Sequence, residues 1–184
     1  MGRPKLLLPW RGSTVIGHLI SQWRELGSTQ TAIVVRANDL ALAAELDRLN
    51  FPKTDHIINP EPERGMFGSI VCAANWGGWQ EEISHWAVVL GDQPHLQLQM
   101  LRGLLEFAGQ NREAICQPEF GGRAGHPVIL PQRVFAGLKG TNAATMKDFL
   151  KLAAGPSVLF PVTDPGLSLD LDTPDDYKRL QACI

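Results

Sequence analysis

Asp92 stands directly after the apolar run Trp86–Leu90, between Gly91 and the pair Gln93-Pro94. A carboxylate in that setting is a hard oxygen ligand suited to Mg²⁺, and equally a turn or cap residue at a strand-to-helix joint. More acid lies in Asp170-Leu171-Asp172-Thr173-Pro174-Asp175-Asp176. Alternation along an extended chain puts Asp170 and Asp172 on one face, able to converge on one cation. Asp175 and Asp176 instead suit the first turn of a helix opened by Pro174. Lys5 follows Gly2, Arg3 and Pro4 in a loop where a lysine can hold nucleotide phosphates as a point charge; a solvated lysine is the plainer reading. Gly65, Met66 and Ser69 open a helix after a proline-bearing turn, and a helix N-terminus offers free N–H groups to an anion or a sugar. The loop Gly121-Gly122-Arg123-Ala124-Gly125-His126-Pro127 carries one cation and one ring that titrates near neutrality. It suits an anionic substrate, or is simply a hairpin loop.

These side chains need a scaffold that gathers them. Thr14 caps a helix whose apolar residues Val15, Ile16, Leu19, Ile20, Trp23 and Leu26 recur at helical spacing, stopped by Gly27. Thr31–Arg36 reads as a buried strand, and Asn38 as the cap of a helix running to Leu49. His56–Asn59, Trp86–Leu90, Ala114–Gln117, Val128–Leu130, Val158–Val162 and Leu169–Leu171 read as further strands. Gly65–Trp76, Leu96–Ala108, Gln132–Leu138, Ala143–Ala153 and the segment from Pro174 read as helices. Such alternation specifies an α/β domain with a mostly parallel sheet and helices on both faces. In open α/β sheets ligands bind beyond the carboxyl ends of the strands, which singles out Asp92.

Composition narrows the function classes. The 184 residues carry 17 Lys and Arg against 19 Asp and Glu, a net charge of -2, with no basic excess for a nucleic acid partner. Cys72, Cys116 and Cys183 form no CxxC pair, so neither zinc nor a disulfide framework is expected, and a reducing cytosol is the simplest compartment. The longest apolar run is too short to cross a bilayer, so no membrane association is expected. Neither a Walker lysine loop nor a GxSxG elbow occurs.

In order and spacing, Met1–Leu8, Asn59-Pro60 with Gly65-Met66 and Ser69, Leu90–Pro94, Gly125-His126-Pro127 and Asp170–Pro174 resemble the molybdenum cofactor nucleotidyltransferases, the MobA- and MocA-like enzymes. Gly-Asp-Gln-Pro, then Gly-His-Pro, then Asp-Thr-Pro points to the MocA-like cytidylyltransferase branch. The resemblance implies a Rossmann-like nucleotidyltransferase fold, a three-layer sandwich with a mostly parallel mixed sheet, over one domain spanning residues 1–184. It implies a Mg²⁺-dependent transfer of a nucleotidyl group, CMP from CTP, to a molybdopterin-type phosphate, with pyrophosphate leaving. Lys5 and Asp92 take the catalytic positions. Gly2, Arg3, Lys5, Gly65, Met66, Ser69 and Gly91 would bind the nucleotide. Asp92, Asp170 and Asp172 would hold the metal, and Arg123, Gly125 and His126 would meet the acceptor. Family members place a strand and a Gly-rich loop ahead of the Met-Gly-x-Pro-Lys segment, whereas Met1 stands here at that internal methionine. The expectation is therefore a domain short of that strand and loop. Two alternatives stay open: a catalytically impaired nucleotide- or cofactor-binding partner that serves an apo-molybdoenzyme, and a nucleotidyltransferase for another phosphorylated acceptor.

Overall fold

The computed structural model describes residues 4–153 and 155–182. After a 3-10 turn at Lys5–Leu7, the two-residue strands β1 (Pro9–Trp10) and β2 (Ser13–Thr14) form an antiparallel hairpin. Its turn places Arg11 and Gly12 at positive φ, 44° and 77°; Gly12 tolerates this freely. The sequence reading had no strand there. Helix α1 (Val15–Glu25) begins where Thr14 Oγ1 accepts from Gly17 N, as expected. Strand β3 (Ile33–Arg36) leads to α2 (Leu40–Arg48), capped by Asp39 rather than Asn38. Asp39 Oδ1 accepts from Leu42 N at 3.0 Å, the three-residue reach a cap requires. Strand β4 (His56–Asn59) runs parallel to β3, and a 3-10 turn at Pro62–Arg64 opens α3 (Gly65–Asn75).

The second half comprises β5 (His85–Val88), α4 (Leu98–Gln110), β6 (Ile115–Phe120), β7 (Arg123–Ala124), β8 (Val128–Pro131), α5 (Gln132–Gly137), α6 (Met146–Leu152), β9 (Ser157–Pro161) and α7 (Pro174–Ala182). Its five-stranded sheet runs β5–β8–β6, with β7 and β9 also paired to β6. Strand β8 is antiparallel to β5 and β6, and β9 is parallel to β6, so β5, β6 and β9 share one direction. The mixed α/β sheet matches the expectation, though among the described pairings of this sheet only β6–β9 is parallel, because the hairpin-linked β8 runs against both its neighbours.

Strand β8 shows how the layers form. Val128 and Leu130 join a core with Ile70 of α3, Phe135 of α5 and Phe149 of α6, while Ile129 joins Leu104 and Ala108 of α4. Alternate side chains leave opposite faces of a strand, so helices cover both faces. Two strand boundaries depart from expectation. β5 stops at Val88, whose partner is Val128; the preceding Pro127 has no N–H to continue the ladder. Leu169–Leu171 forms no ladder among the described residues, because a 3-10 turn at Pro165–Ser168 and the turn at Thr173 leave too short a stretch. Leu171 is nevertheless fully buried, and its N–H donates to Asp92 O at 2.9 Å.

Candidate active site

That bond brings the two acidic segments together. Gln93, 5% exposed, donates its Nε2 to Asp170 Oδ1 at 3.0 Å. Lys5 Nζ donates to Asp172 Oδ1 at 2.5 Å. The loop bearing Lys5 packs against the Asp92 turn, since a Cβ on Gly91 would lie 2.7 Å from Leu6 Cδ2. Residues from both ends of the chain thus meet beyond the carboxyl end of β5, where the topology rule places a ligand.

Charge is poised around Asp92. Burial pushes its carboxyl above the ordinary range, and the neighbouring Asp170 carboxylate pushes it further, against the pull of Lys5. Asp92 Oδ1 is buried with no hydrogen-bond partner among the described residues. A buried orphan acceptor beside a second carboxylate is costly, and a cation relieves both penalties. Among the described residues no three His, Cys, Asp or Glu side chains converge into a complete cage. Mg²⁺ does not require one, because it binds through one or two carboxylates plus substrate phosphates. The donor set of Asp92 and Asp170 fits that pattern. Asp172 is committed through Oδ1 to Lys5, and this hydrogen bond raises the lysine pKa. Because the pair is largely exposed, it fixes geometry more than it adds stability.

The expected nucleotide residues gather in part. Lys5, Met66, Ser69, Gly91 and Asp92 line one cleft of about 880 Å³. Gly65, at φ 71°, turns the chain into α3, whose N-terminus receives no side-chain cap from the described residues, leaving its first N–H groups available. Asn59 holds that turn. It is 4% exposed, donates to Ser69 Oγ at 3.1 Å and accepts from Glu61 N at 2.9 Å. Gly2 and Arg3 lie outside the described residues.

The expected acceptor residues divide. Burial holds the His126 ring below its ordinary pKa, against the Val88 carbonyl and the carboxylates of Asp92 and Asp170, so it is neutral at physiological pH. Its Nδ1 lies 3.3 Å from Val88 O, a hydrogen bond that requires the proton on Nδ1. Gly125 is a packing glycine, because a Cβ there would come within 2.8 Å of Leu167. Arg123 is exposed on β7, and among the described residues no hydrogen bond or ion pair ties it to the carboxylates. Asp175 and Asp176 serve the helix, as expected. Thr173 N and Oγ1 both donate to Asp176 Oδ2, and Asp176 N donates back to Thr173 Oγ1. Sequence reasoning gave no role to Gln93. A polar residue between an aspartate and a proline reads as turn, and nothing local signals that it is buried against Asp170.

The MobA-like NTP transferase domain family matches residues 1–157. Among solved structures, the chain is similar to Rv0371c from Mycobacterium tuberculosis H37Rv at 27% identity and a TM-score of 0.70, over 98% of this chain and 89% of that one. A complex of Rv0371c with manganese aligns at 24% identity and a TM-score of 0.70, over 98% and 92%. Molybdopterin-guanine dinucleotide biosynthesis protein A from Archaeoglobus fulgidus shares the fold at 16% identity and a TM-score of 0.67, over 98% and 90%. No curated protein sequence matches the chain. The family match spans most of the sequence and includes Lys5, the start of α3, Asp92 and the loop to His126, and the chain belongs to the family of MobA-like NTP transferase domains.

Proposed function

We propose that this nucleotidyltransferase moves CMP from CTP to the terminal phosphate of a molybdopterin-type acceptor. An acceptor oxygen forms a bond to the α-phosphorus, the α–β bridging bond breaks, and pyrophosphate leaves. The observation that carries the reading is the buried, unpartnered Oδ1 of Asp92 beside Asp170, facing a cleft that also holds Lys5. Asp92 and Asp170 would hold a Mg²⁺ ion, which neutralises phosphate charge as it develops. That the similar Rv0371c was crystallised as a complex with manganese is in keeping with use of a divalent ion. Asp172 keeps Lys5 charged and aimed, and Lys5 binds the triphosphate as a point charge. The uncapped start of α3, from Gly65 to Ser69, receives phosphate or ribose oxygens. Neutral His126, close to the carboxylates, meets the acceptor, and Arg123 at the hairpin tip contacts the acceptor's outer charge.

The choice of CTP and of a molybdopterin acceptor rests on the resemblance of Gly91-Asp92-Gln93-Pro94, Gly125-His126-Pro127 and Asp172-Thr173-Pro174 to the MocA-like branch. The reading takes residues 1–184 as one domain, and the hydrogen bond from Lys5 to Asp172, distant in sequence, supports it. The free thiols Cys72 and Cys116 suit a reducing cytosol. No described helix is long and apolar enough to cross a membrane.

The test is pyrophosphate release from CTP, GTP and ATP with molybdopterin, with and without Mg²⁺. CTP-selective, metal-dependent release that collapses in Asp92→Asn is the expected result. Metal-dependent CTP binding without turnover would move the chain to the role of a cofactor-delivering partner. Equal turnover by wild type and Asp92→Asn would overturn the proposal.

A further inference from the structure

Arg36, the last residue of β3, lines the same cleft as Lys5 and Asp92. It is exposed, and among the described residues its guanidinium makes no hydrogen bond or ion pair. The acids that follow β3 and β4 are engaged elsewhere. Asp39 Oδ1 caps α2 through Leu42 N, and Glu61 pairs with Arg64 at 2.9 Å. The cation is therefore free to meet a ligand.

Strand alternation and register give the direction of this side chain. Ile33 and Val35 pack toward Ile16 of α1 and Leu42 of α2. Val34 and Arg36 leave the opposite face. Arg36 is the register partner of Asn59 on β4, and paired residues of neighbouring strands share a face about 5 Å apart. Asn59 uses that face to hold Ser69 of α3. Arg36 thus stands beside the first turns of α3, whose Met66 and Ser69 line the cleft with it.

Met66 decides which end of a nucleotide belongs here. It is 54% exposed, a large apolar side chain left open at the cleft. A phosphate gains nothing from a thioether, whereas a flat heteroaromatic ring packs favourably against one. With the triphosphate at Lys5 and Asp92, the end that reaches Met66 and Arg36 is the base. A guanidinium presents parallel N–H donors and no acceptor. Cytosine offers it two adjacent acceptors, O2 and the unprotonated N3. Uracil carries a proton on N3 and sets a donor against a donor.

We propose that Arg36 reads the base: with the ring on Met66, its guanidinium donates to O2 and N3 of the cytosine of CTP. This inference rests on the nucleotide placement and the CTP preference proposed above, and supplies a physical reason for that preference.

Calorimetric titration with CTP, UTP, GTP and ATP, each with Mg²⁺ and without acceptor, tests it. The wild-type chain is expected to bind CTP tighter than UTP by about tenfold or more, the discrimination of one bidentate pair. Arg36→Gln should lose most of that factor for CTP and less than about threefold for UTP. Arg36→Lys keeps the charge but not the planar fork, so it should not restore the preference. Equal losses for CTP and UTP in Arg36→Gln, repaired by Arg36→Lys, would overturn the proposal in favour of a phosphate contact. A CTP preference undiminished in Arg36→Gln would overturn the role of Arg36 alone. A wild-type chain that binds no nucleotide, or prefers GTP or ATP, would overturn the CTP reading along with it.

Discussion

Strands β8 and β3 are close in composition and opposite in burial. Val128, Ile129 and Leu130 of β8 are 1%, 2% and 0% exposed, whereas Ile33, Val34 and Val35 of β3 are all only half-buried. Both are aliphatic runs that read as core strands. The difference comes from their neighbours. β8 has β5 and β6 on its two edges and helices on both faces, while among the described residues β3 has only β4 beside it, and it lines the cleft. Apolar composition makes a strand; flanking strands and covering helices make it a core. The site lies on the open side of this contrast, because β5, which leads to Asp92, lines the same cleft as β3 and is itself no more than half-buried.

The sharpest way to break this comparison is at the site. Asp92→Asn keeps the shape but removes the charge, and is expected to lower kcat/KM by roughly 1,000-fold, of the order seen when a key electrostatic group is lost. Steady-state pyrophosphate release measures it.

Next come paired core truncations. Leu130→Ala should destabilise by about 2–5 kcal/mol, because a fully buried side chain leaves a cavity. Val34→Ala, beside the cleft, should cost less than about 1 kcal/mol. Equal losses in urea titrations would mean that β3 is as well packed as β8.

pH separates the regions further. The Asp92 carboxyl has a raised pKa in the fold, so its contribution to stability is full below the ordinary carboxylate range and is lost as pH rises through the raised value. Without a divalent ion, Asp92→Asn should therefore melt higher than wild type at neutral pH, and Mg²⁺ should reverse the order. His126 has the opposite sign: its lowered pKa gives stability present above about 6.5 and lost as pH falls through the folded value. His126→Gln should flatten the acid limb of the melting profile. The smallest effect expected is Thr173→Ala, about 1 kcal/mol, from loss of the capping box that anchors α7 beside Asp172.

Local pattern carried most of the elements. The periodicity of α1, the run of β4 and the Pro174 helix start all lie where the residues place them. The departures came from partners distant in sequence. β5 stops where Pro127, 39 residues later, stands opposite, and Leu171 spends its N–H on Asp92 rather than on a ladder. Among the candidate residues, Asp92 stands out as a charge directly after an apolar run and Asp170 as part of an acidic cluster, whereas Lys5 is marked only by the resemblance. Gln93 was not legible, since only the fold brings it to Asp170. Gly125 was legible as a motif but not as packing, because its need for a missing Cβ is set by Leu167.

The most direct test of the account is the metal affinity of the Asp92 site. Mn²⁺ binding in the presence of CTP, followed by electron paramagnetic resonance, should show one bound ion in the wild-type chain. Binding should be weaker by about tenfold or more in Asp92→Asn, and should weaken by a smaller factor in Gln93→Ala, where Asp170 loses its support. Unchanged Mn²⁺ affinity in Asp92→Asn would contradict the account.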